Sequence, residues 1–280
     1  MRSVLLATDL STQSDRALAR ALRLTGAAGT LTVLHTVENG SYAISDDEQC
    51  REAEAKLARL LKGHAVEGRT VSLEVRVGDP AEEIVRRVHA GGVDLVVLGA
   101  HRPSLLRDMF SAGTAQRVAD AGIAPVLSVV DPAGDDYGKV MIGMDDSDAA
   151  ERGLEATLAL FPDCRITVVH AFHVPFGGFL DTPENRNEVG GQHREALAAR
   201  IRAVGRRLGR PALVNEIDLR LRDGETISVL NAEVKHAGPD LLVIGTSGSG
   251  NRLFGGIAAA TATAPPCDLL IIPSAGVGAE

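Results

Sequence analysis

The chain has 280 residues, a formal net charge of −8 at pH 7 and 45% apolar residues. The negative charge gives no reason to expect nucleic acid or an anionic membrane as a partner. No apolar run approaches the roughly 18 residues of a membrane-spanning helix, and Met1-Arg2-Ser3 leads straight into an apolar segment without a signal peptide. With three widely separated cysteines, these features predict a cytoplasmic protein with reduced thiols.

Short segments rich in Val and Leu alternate with helical stretches along the chain. The predicted strands lie near residues 4–9, 30–37, 70–77, 94–99, 125–130, 139–144, 165–171, 213–222, 240–245 and 268–272. A charged, Ala- and Leu-rich helix is predicted over 45–66, and a second over 192–208, after a Gly- and Pro-rich loop at 174–191. This alternation predicts an α/β protein whose parallel sheets are covered by helices on both faces.

The sequence contains two copies of one domain. Three pairs of segments match each other: 4–9 with 140–145, 31–35 with 166–170, and 94–99 with 240–245. The polar, helix-breaking segment between the copies is typical of a linker. We therefore predict a first domain at 1–131, a linker at 132–138 and a second domain at 139–280.

Several segments together resemble the universal stress protein family. The run Asp145-Asp146-Ser147-Asp148 resembles the family's first-strand signature, and the segments 77–84 and 94–101 resemble its middle and fourth-strand segments. The resemblance covers essentially the whole chain, in tandem. It implies that each domain is a doubly wound, five-stranded parallel sheet of order 3-2-1-4-5, an adenine-nucleotide alpha-hydrolase-like and Rossmann-like fold.

In that strand order the winding direction switches between strands one and four, so the loops after these strands part to form a crevice. Asp9 or Asp145 ends strand one, and a loop after strand four begins at Gly99 or Gly245. A carboxylate suits a ribose hydroxyl, and backbone N–H groups suit phosphates. The resemblance implies these roles in binding an adenine nucleotide, and a backbone contact to adenine from Thr36 or Ala171.

The loop of the first copy departs from the family's phosphate loop, which reads Gly, two residues, Gly, nine residues, Gly, then Ser or Thr. Arg102 stands in place of the second Gly, and the pair Gly113-Thr114 comes one position late. A guanidinium at this position either crowds the phosphate path in a lapsed site or itself binds phosphate through its fork of donors. The first copy is therefore the weaker candidate.

The loop of the second copy keeps the early glycines, Gly245 and Gly248. Six residues, instead of nine, separate Gly248 from the pair Gly255-Gly256, and Gly256 takes the Ser or Thr position. Such a loop is either a phosphate cradle or a flexible connector. Because Asp145 is also retained, we predict nucleotide binding in the second domain rather than the first.

The expected function is that of a stress-response module that binds ATP or AMP, with Mg²⁺ only alongside ATP and with slow ATP hydrolysis at most. One alternative is an interaction scaffold with unknown protein partners and two degenerate sites. Another is an enzyme of the wider adenine-binding superfamily, but the chain lacks a Ser-Gly-Gly-x-Asp-Ser loop after strand one. His35 and His170 lack partners at metal-ligand spacing and are interpreted as structural hydrogen-bonding residues.

The fifth strands, 125–130 and 268–273, are apolar and would form open sheet edges. Open edges invite pairing with another strand. We therefore expect the two halves to pair through these strands as an intramolecular pseudo-dimer, and a homodimer of chains is a further expectation.

Overall fold

The computed structural model describes residues 1–11, 14–37, 45–64, 66, 68–100, 112–173, 183–246, 252–263 and 265–273. The chain divides into two compact units, of which the first comprises Met1–Asp135 with Ala262–Glu280, and the second Asp136–Thr261. The domain limits predicted from the sequence stay a prediction.

Strands and helices alternate through both units. The strands are β1 (Ser3–Thr8), β2 (Thr30–Val37), β3 (Thr70–Val77), β4 (Leu95–Gly99), β5 (Val126–Val129), β6 (Lys139–Gly143), β7 (Arg165–Phe172), β8 (Asp218–Asp223), β9 (Leu241–Gly245) and β10 (Asp268–Ile272). The helices are α1 (Ser14–Leu24), α2 (Asp46–Lys62), α3 (Pro80–His89), α4 (Ala112–Asp120), α5 (Asp148–Leu160), α6 (Pro183–Arg207), α7 (Leu213–Glu216), α8 (Thr226–Ala237) and α9 (Arg252–Thr263).

The sheet of the first unit has β1 at its centre. β1 pairs in parallel with β2 and β4, and the order β3-β2-β1-β4-β5 is parallel throughout. The chain winds one way through β2 and β3 and then returns to β4 on the other side of β1, so right-handed crossovers put helices on both faces. Val4, Leu5 and Leu6 of β1 are fully buried as a result.

The sheet of the second unit repeats this order. β6 pairs in parallel with β7 and β9, and β8 extends the sheet beyond β7, giving β9-β6-β7-β8. Met141 and Ile142 of β6 are fully buried, like their counterparts in β1. The predicted α/β fold class is confirmed.

The fifth strand of the second repeat, β10, belongs to the first unit, where it pairs antiparallel with β5. The two apolar fifth strands therefore pair with each other, as open edges favour. Asp268 opens β10 and is buried; its Oδ1 accepts hydrogen bonds from the backbone N–H groups of Val130 (2.7 Å) and Asp131 (3.0 Å). The buried guanidinium of Arg20 lies 3.8 Å from its Oδ2. The pseudo-dimer and the homodimer stay predictions.

Two details of the second unit differ from the sequence prediction. Residues from Pro183 onward are helical, so the predicted loop at 174–191 is wrong over its last part. Proline is tolerated in the first turn of a helix, where its missing N–H would be unpaired anyway. The predicted strand at 213–222 begins only at Asp218, because Leu213 is buried in the short helix α7. In the described parts of the chain, no helix is both long and apolar enough to cross a membrane.

Candidate functional site

The aspartate that ends strand one holds the following turn in both units. Asp9 Oδ1 accepts hydrogen bonds from the backbone N–H of Ser11 (2.9 Å) and the hydroxyl of Ser14 (2.6 Å). Asp145 Oδ1 accepts from the backbone N–H (3.1 Å) and the hydroxyl of Ser147. Each carboxylate therefore fixes the entry into the next helix, where short polar side chains satisfy backbone donors.

The turn after Asp9 is strained. Leu10 has φ +61°, in the left-handed region that costs a non-glycine residue roughly 1–2 kcal/mol. Its backbone N–H donates to Thr8 Oγ1 at 3.1 Å, so hydrogen bonds on both sides of Leu10 hold this conformation. Strained residues cluster at ligand sites, and Leu10 lines a cavity.

The histidines of the second strands make the same hydrogen bond in both units. Nδ1–H of His35 donates to Thr8 O at 2.8 Å, and Nδ1–H of His170 donates to Met144 O at 2.8 Å. Burial lowers the pKa of both imidazoles below the ordinary value, so the neutral form is favoured. Both residues tie strand two to the end of strand one, as the structural interpretation of the sequence predicted. In the described parts of the chain, no cluster of three or more His, Cys, Asp or Glu residues could hold a metal ion.

In the first unit a cavity of about 430 Å³ opens beside His35. This volume lies within the range of small-molecule sites. Its lining combines the ends of β1 and β2 with one face of α2: Asp9, Leu10, His35, Thr36, Val37, Gln49, Glu52, Ala53 and Lys56. The structure therefore brings together the predicted residues Asp9 and Thr36, which sequence reasoning assigned to ribose and adenine.

In the second unit the imidazole of His170 contacts a side chain of a neighbouring helix. Nε2 of His170 lies 3.1 Å from Nδ1 of His193, a residue of α6. The ring of His193 also stacks on Phe172, with centroids 5.6 Å apart and an interplanar angle of 29°. Ala171, the predicted adenine contact, lies between His170 and Phe172 on β7. His35 therefore lines a cavity, whereas His170 contacts the ring of His193.

The predicted glycines have several different surroundings. Gly99 ends β4 and Gly245 ends β9. A Cβ on Gly245 would lie 2.5 Å from Ala149 O, so this glycine is required by the close approach of α5. Gly113 and Thr114 lie in the first turn of α4, with Thr114 buried, and Gly255 and Gly256 lie inside α9. Arg102 and Gly248 fall outside the described residues.

The residues that sequence reasoning missed come from α2 and α6. Ala53 and His193 each precede a buried leucine by one helical turn, Leu57 and Leu197 respectively. That spacing is the signal that places them on the buried face of the helix, toward strand two. The sequence prediction gave both helices without assigning either of these residues to a site.

In each unit an ion pair joins the third strand to the helix that follows it, and the acidic and basic residues exchange places between the units. In the first unit Arg87 Nε donates to Glu74 Oε1 at 3.1 Å. In the second unit Arg220 Nη1, on the strand, donates to Glu233 Oε2, on the helix, at 3.0 Å. Burial alone would raise the pKa of Glu233, but hydrogen bonds from Arg220 and Arg222 outweigh burial and hold it below the ordinary value.

Comparisons with known proteins identify relatives for the whole chain. The sequence model of the universal stress protein family matches residues 1–129 and 136–273. No curated protein sequence gives a significant match. Two solved structures share the fold over 98% of this chain, both with TM-score 0.65: a universal stress protein from Archaeoglobus fulgidus DSM 4304 (15% identity, 98% of that chain) and a functionally unknown protein from Pseudomonas aeruginosa PAO1 (18% identity, 93% of that chain).

A third solved structure is a universal stress protein from Arabidopsis thaliana with AMP bound. It covers 48% of this chain and 90% of its own length, at 18% identity and TM-score 0.34.

Proposed function

The chain belongs to the universal stress protein family, and we propose that it is a cytoplasmic stress-response module that binds an adenine nucleotide, ATP or AMP, in the crevice of the first unit. The observation that carries the proposal is the cavity of about 430 Å³ against Asp9 and Thr36. Those residues match the family positions for ribose and adenine. The sequence had favoured the second domain on the glycines of its loop, whereas the described geometry supports the first crevice for the nucleoside.

The lining of the cavity fits a nucleoside. Its lining includes the apolar residues Leu10, Val37 and Ala53, which suit the faces of a purine. The carboxylate of Asp9 stands at the end of β1, where a ribose hydroxyl would donate to it. Lys56 and Glu52 form an ion pair of 2.8 Å at the exposed rim. Mg²⁺ would bind only together with ATP. The proposal assigns no catalytic residue, and ATP hydrolysis would be slow at most.

The interaction scaffold stays a second candidate, because Asp9 and Asp145 each have a structural role without a ligand. Each carboxylate holds a turn through two hydrogen bonds, so its presence does not require a ligand. On this reading the crevices are empty of nucleotide and the units act through protein partners. The two candidates differ in whether the purified chain binds ATP or AMP at all.

Calorimetric titration of the full chain with ATP and with AMP tests the proposal. An Asp9→Asn variant keeps an oxygen acceptor for Ser11 and Ser14 but removes the charge that favours the ribose hydroxyls. We expect it to weaken binding at least about tenfold, on the order of 1.4 kcal/mol. The matched Asp145→Asn variant should bind like the parent.

Mass spectrometry of small molecules released on denaturation gives an independent reading, since a co-purified adenine nucleotide would support the proposal. A parent chain that binds neither ATP nor AMP would leave the scaffold candidate in its place.

A further inference from the structure

The imidazole of His35 presents a hydrogen-bond acceptor to the cavity of the first unit. Its Nδ1–H donates to Thr8 O, and burial lowers the pKa of the ring, so the neutral form with a bare Nε2 is favoured. Among the described residues Nε2 has no hydrogen-bond partner, yet it is not one of the fully buried side-chain nitrogens that lack one. The small exposed part of His35, 8% of the residue, therefore includes Nε2, and His35 lines the cavity.

The matching histidine of the second unit shows which kind of group such a nitrogen accepts. Nδ1–H of His170 donates to Met144 O, so Nε2 of the neutral ring can only accept a hydrogen bond. It lies 3.1 Å from Nδ1 of His193, whose N–H is therefore the donor. Nε2 of His35 is held in the same tautomer by the equivalent hydrogen bond, and no described residue supplies its donor.

The groups around His35 favour an uncharged ring over a phosphate. The carboxylate of Asp9, at the end of the neighbouring strand, would repel a phosphate, and the lining residues Val37 and Ala53 are buried and apolar. Lys56, the cation of the described lining, lies at the exposed rim and is held in an ion pair. The space beside His35 therefore suits an apolar ring that carries an N–H donor on its edge.

We infer that Nε2 of His35 selects the base of the nucleotide by accepting a hydrogen bond from the exocyclic amino group of adenine. Guanine and hypoxanthine have an oxygen at the same ring position, and its lone pairs would face that of Nε2. The inference rests on the proposed function for the presence of a nucleotide in the first crevice. It goes beyond that function because it assigns base selectivity to a side chain that the sequence indicated as structural.

Three nucleotides that differ at one position of the base test the inference on the full chain. AMP carries the amino group, purine riboside monophosphate carries hydrogen in its place, and IMP carries oxygen. A site that pairs with a donor of its ligand rejects an analogue without that donor, because a polar group of the site is then left unpaired. Calorimetric titration should therefore show AMP binding at least about tenfold tighter than either analogue.

His35→Asn removes Nε2 and keeps an amide N–H that can donate to Thr8 O. We expect it to weaken AMP binding at least about tenfold and to leave the binding of purine riboside monophosphate nearly unchanged. A purely structural role of His35 would instead weaken the binding of both ligands alike. His170→Asn is the matched substitution in the second unit and should keep the preference of the parent. Circular dichroism of each variant checks that the chain still folds.

Nitrogen-15 NMR of the imidazoles gives a reading that does not depend on affinity. In the free chain at neutral pH, Nε2 of His35 should give the signal of an unprotonated nitrogen. Saturation with AMP should shift this signal toward that of a hydrogen-bonded acceptor, and purine riboside monophosphate should shift it far less. A protonated Nε2 in the free chain would overturn the inference, because the nitrogen could not then accept from adenine.

The outcomes separate the inference from the proposed function. A parent that binds AMP no better than purine riboside monophosphate overturns the inference and leaves the proposed function standing, as does a preference for AMP that His35→Asn retains. Loss of the preference in His170→Asn instead would overturn both the inference and the assignment to the first crevice. A parent that binds none of the three nucleotides overturns the inference together with the proposed function.

Discussion

The two crevices share the hydrogen bonds at the ends of strands one and two, and they differ in the surroundings of the strand-two histidine. In both units an aspartate at the end of strand one holds a helix entry, and a histidine of strand two donates to the adjacent backbone carbonyl. The first crevice contains a cavity, and the second contains the ring of His193. The comparison teaches that duplication preserved the backbone frame, whereas the surroundings of the strand-two histidine differ between the units.

The ion pairs beside the two sheets also keep their position while the residues that form them change. Glu74 and Arg87 in the first unit correspond to Arg220 and Glu233 in the second, so both units keep the pair and reverse its polarity. A pair can reverse because its Coulomb energy depends on the product of the charges and on their separation. Only the position is shared.

The largest effect is expected at Asp268, the buried residue that opens the fifth strand of the second repeat. Asp268 is buried beside Arg20, whereas the first repeat has Pro125 at the matching place. Asp268→Ala removes the carboxylate and leaves a buried guanidinium and two backbone N–H groups without this acceptor. We expect urea denaturation to show a loss of about 3–5 kcal/mol.

Asp240 offers a matched control for this prediction. Its Oδ2 also accepts two backbone N–H groups, from Gly138 (2.9 Å) and Lys139 (2.8 Å), but at the surface. Asp240→Ala should therefore cost only about 1 kcal/mol. Equal losses from the two substitutions would contradict the role assigned to burial.

A smaller effect is expected when the polarity of the first unit's ion pair is changed. Arg87→Glu places a carboxylate beside the partly buried Glu74 and should cost about 2 kcal/mol in unfolding free energy. Adding Glu74→Arg reproduces the polarity of the second unit and should restore most of that loss. A double variant as unstable as the single one would show that polarity, and not only position, is fixed in this unit. Urea denaturation of the parent, the two single variants and the double variant measures the interaction energy between the two side chains in a double-mutant cycle.

The smallest effect concerns pH. The folded-state pKa of His35 and of His170 is lowered by burial, so the unfolded chain binds more protons as the pH falls below the ordinary value of 6.5. Stability from these groups is therefore present above that value and is lost on acidification, until the folded histidines also protonate. Glu233 acts at lower pH: its pKa is also lowered, so its contribution is lost as the pH falls below 4.5.

Thermal unfolding between pH 7 and about 5 checks the histidine effect. His35→Asn and His170→Asn keep an amide donor near the strand-one carbonyl but cannot titrate, so each should flatten the pH dependence in this window. An unchanged slope in both variants would show that other groups control it.

Much of the fold could be predicted from the sequence. The predicted strands near 94–99 and 139–144 match β4 and β6 within one residue, because buried parallel strands are short apolar runs with clear boundaries. The start of α6 was missed because Pro183 and the glycines of that segment favour loops locally. Close packing against Phe172 explains why residue 190 is a glycine, but no local sequence pattern predicts that contact.

The candidate site could be predicted only in part. Asp9 directly follows β1 and Thr36 is the second-last residue of β2, so strand order alone brings them to one edge. The contact of His193 with His170 joins two elements and depends on the register of α6 against β7, which strand order does not fix. The second repeat also carries extra residues between its second and third strands, so the repeat offset alone does not place His193.

The most direct test of the difference between the crevices is photolabelling of the full chain with 8-azido-ATP, followed by mass spectrometry of the labelled peptides. The azide sits on the base, so the label reports which crevice holds adenine. We expect labelled residues beside the first cavity, around Thr36 and Ala53, with competition by unlabelled ATP. Specific labelling around Ala171 and His193 instead would contradict the account.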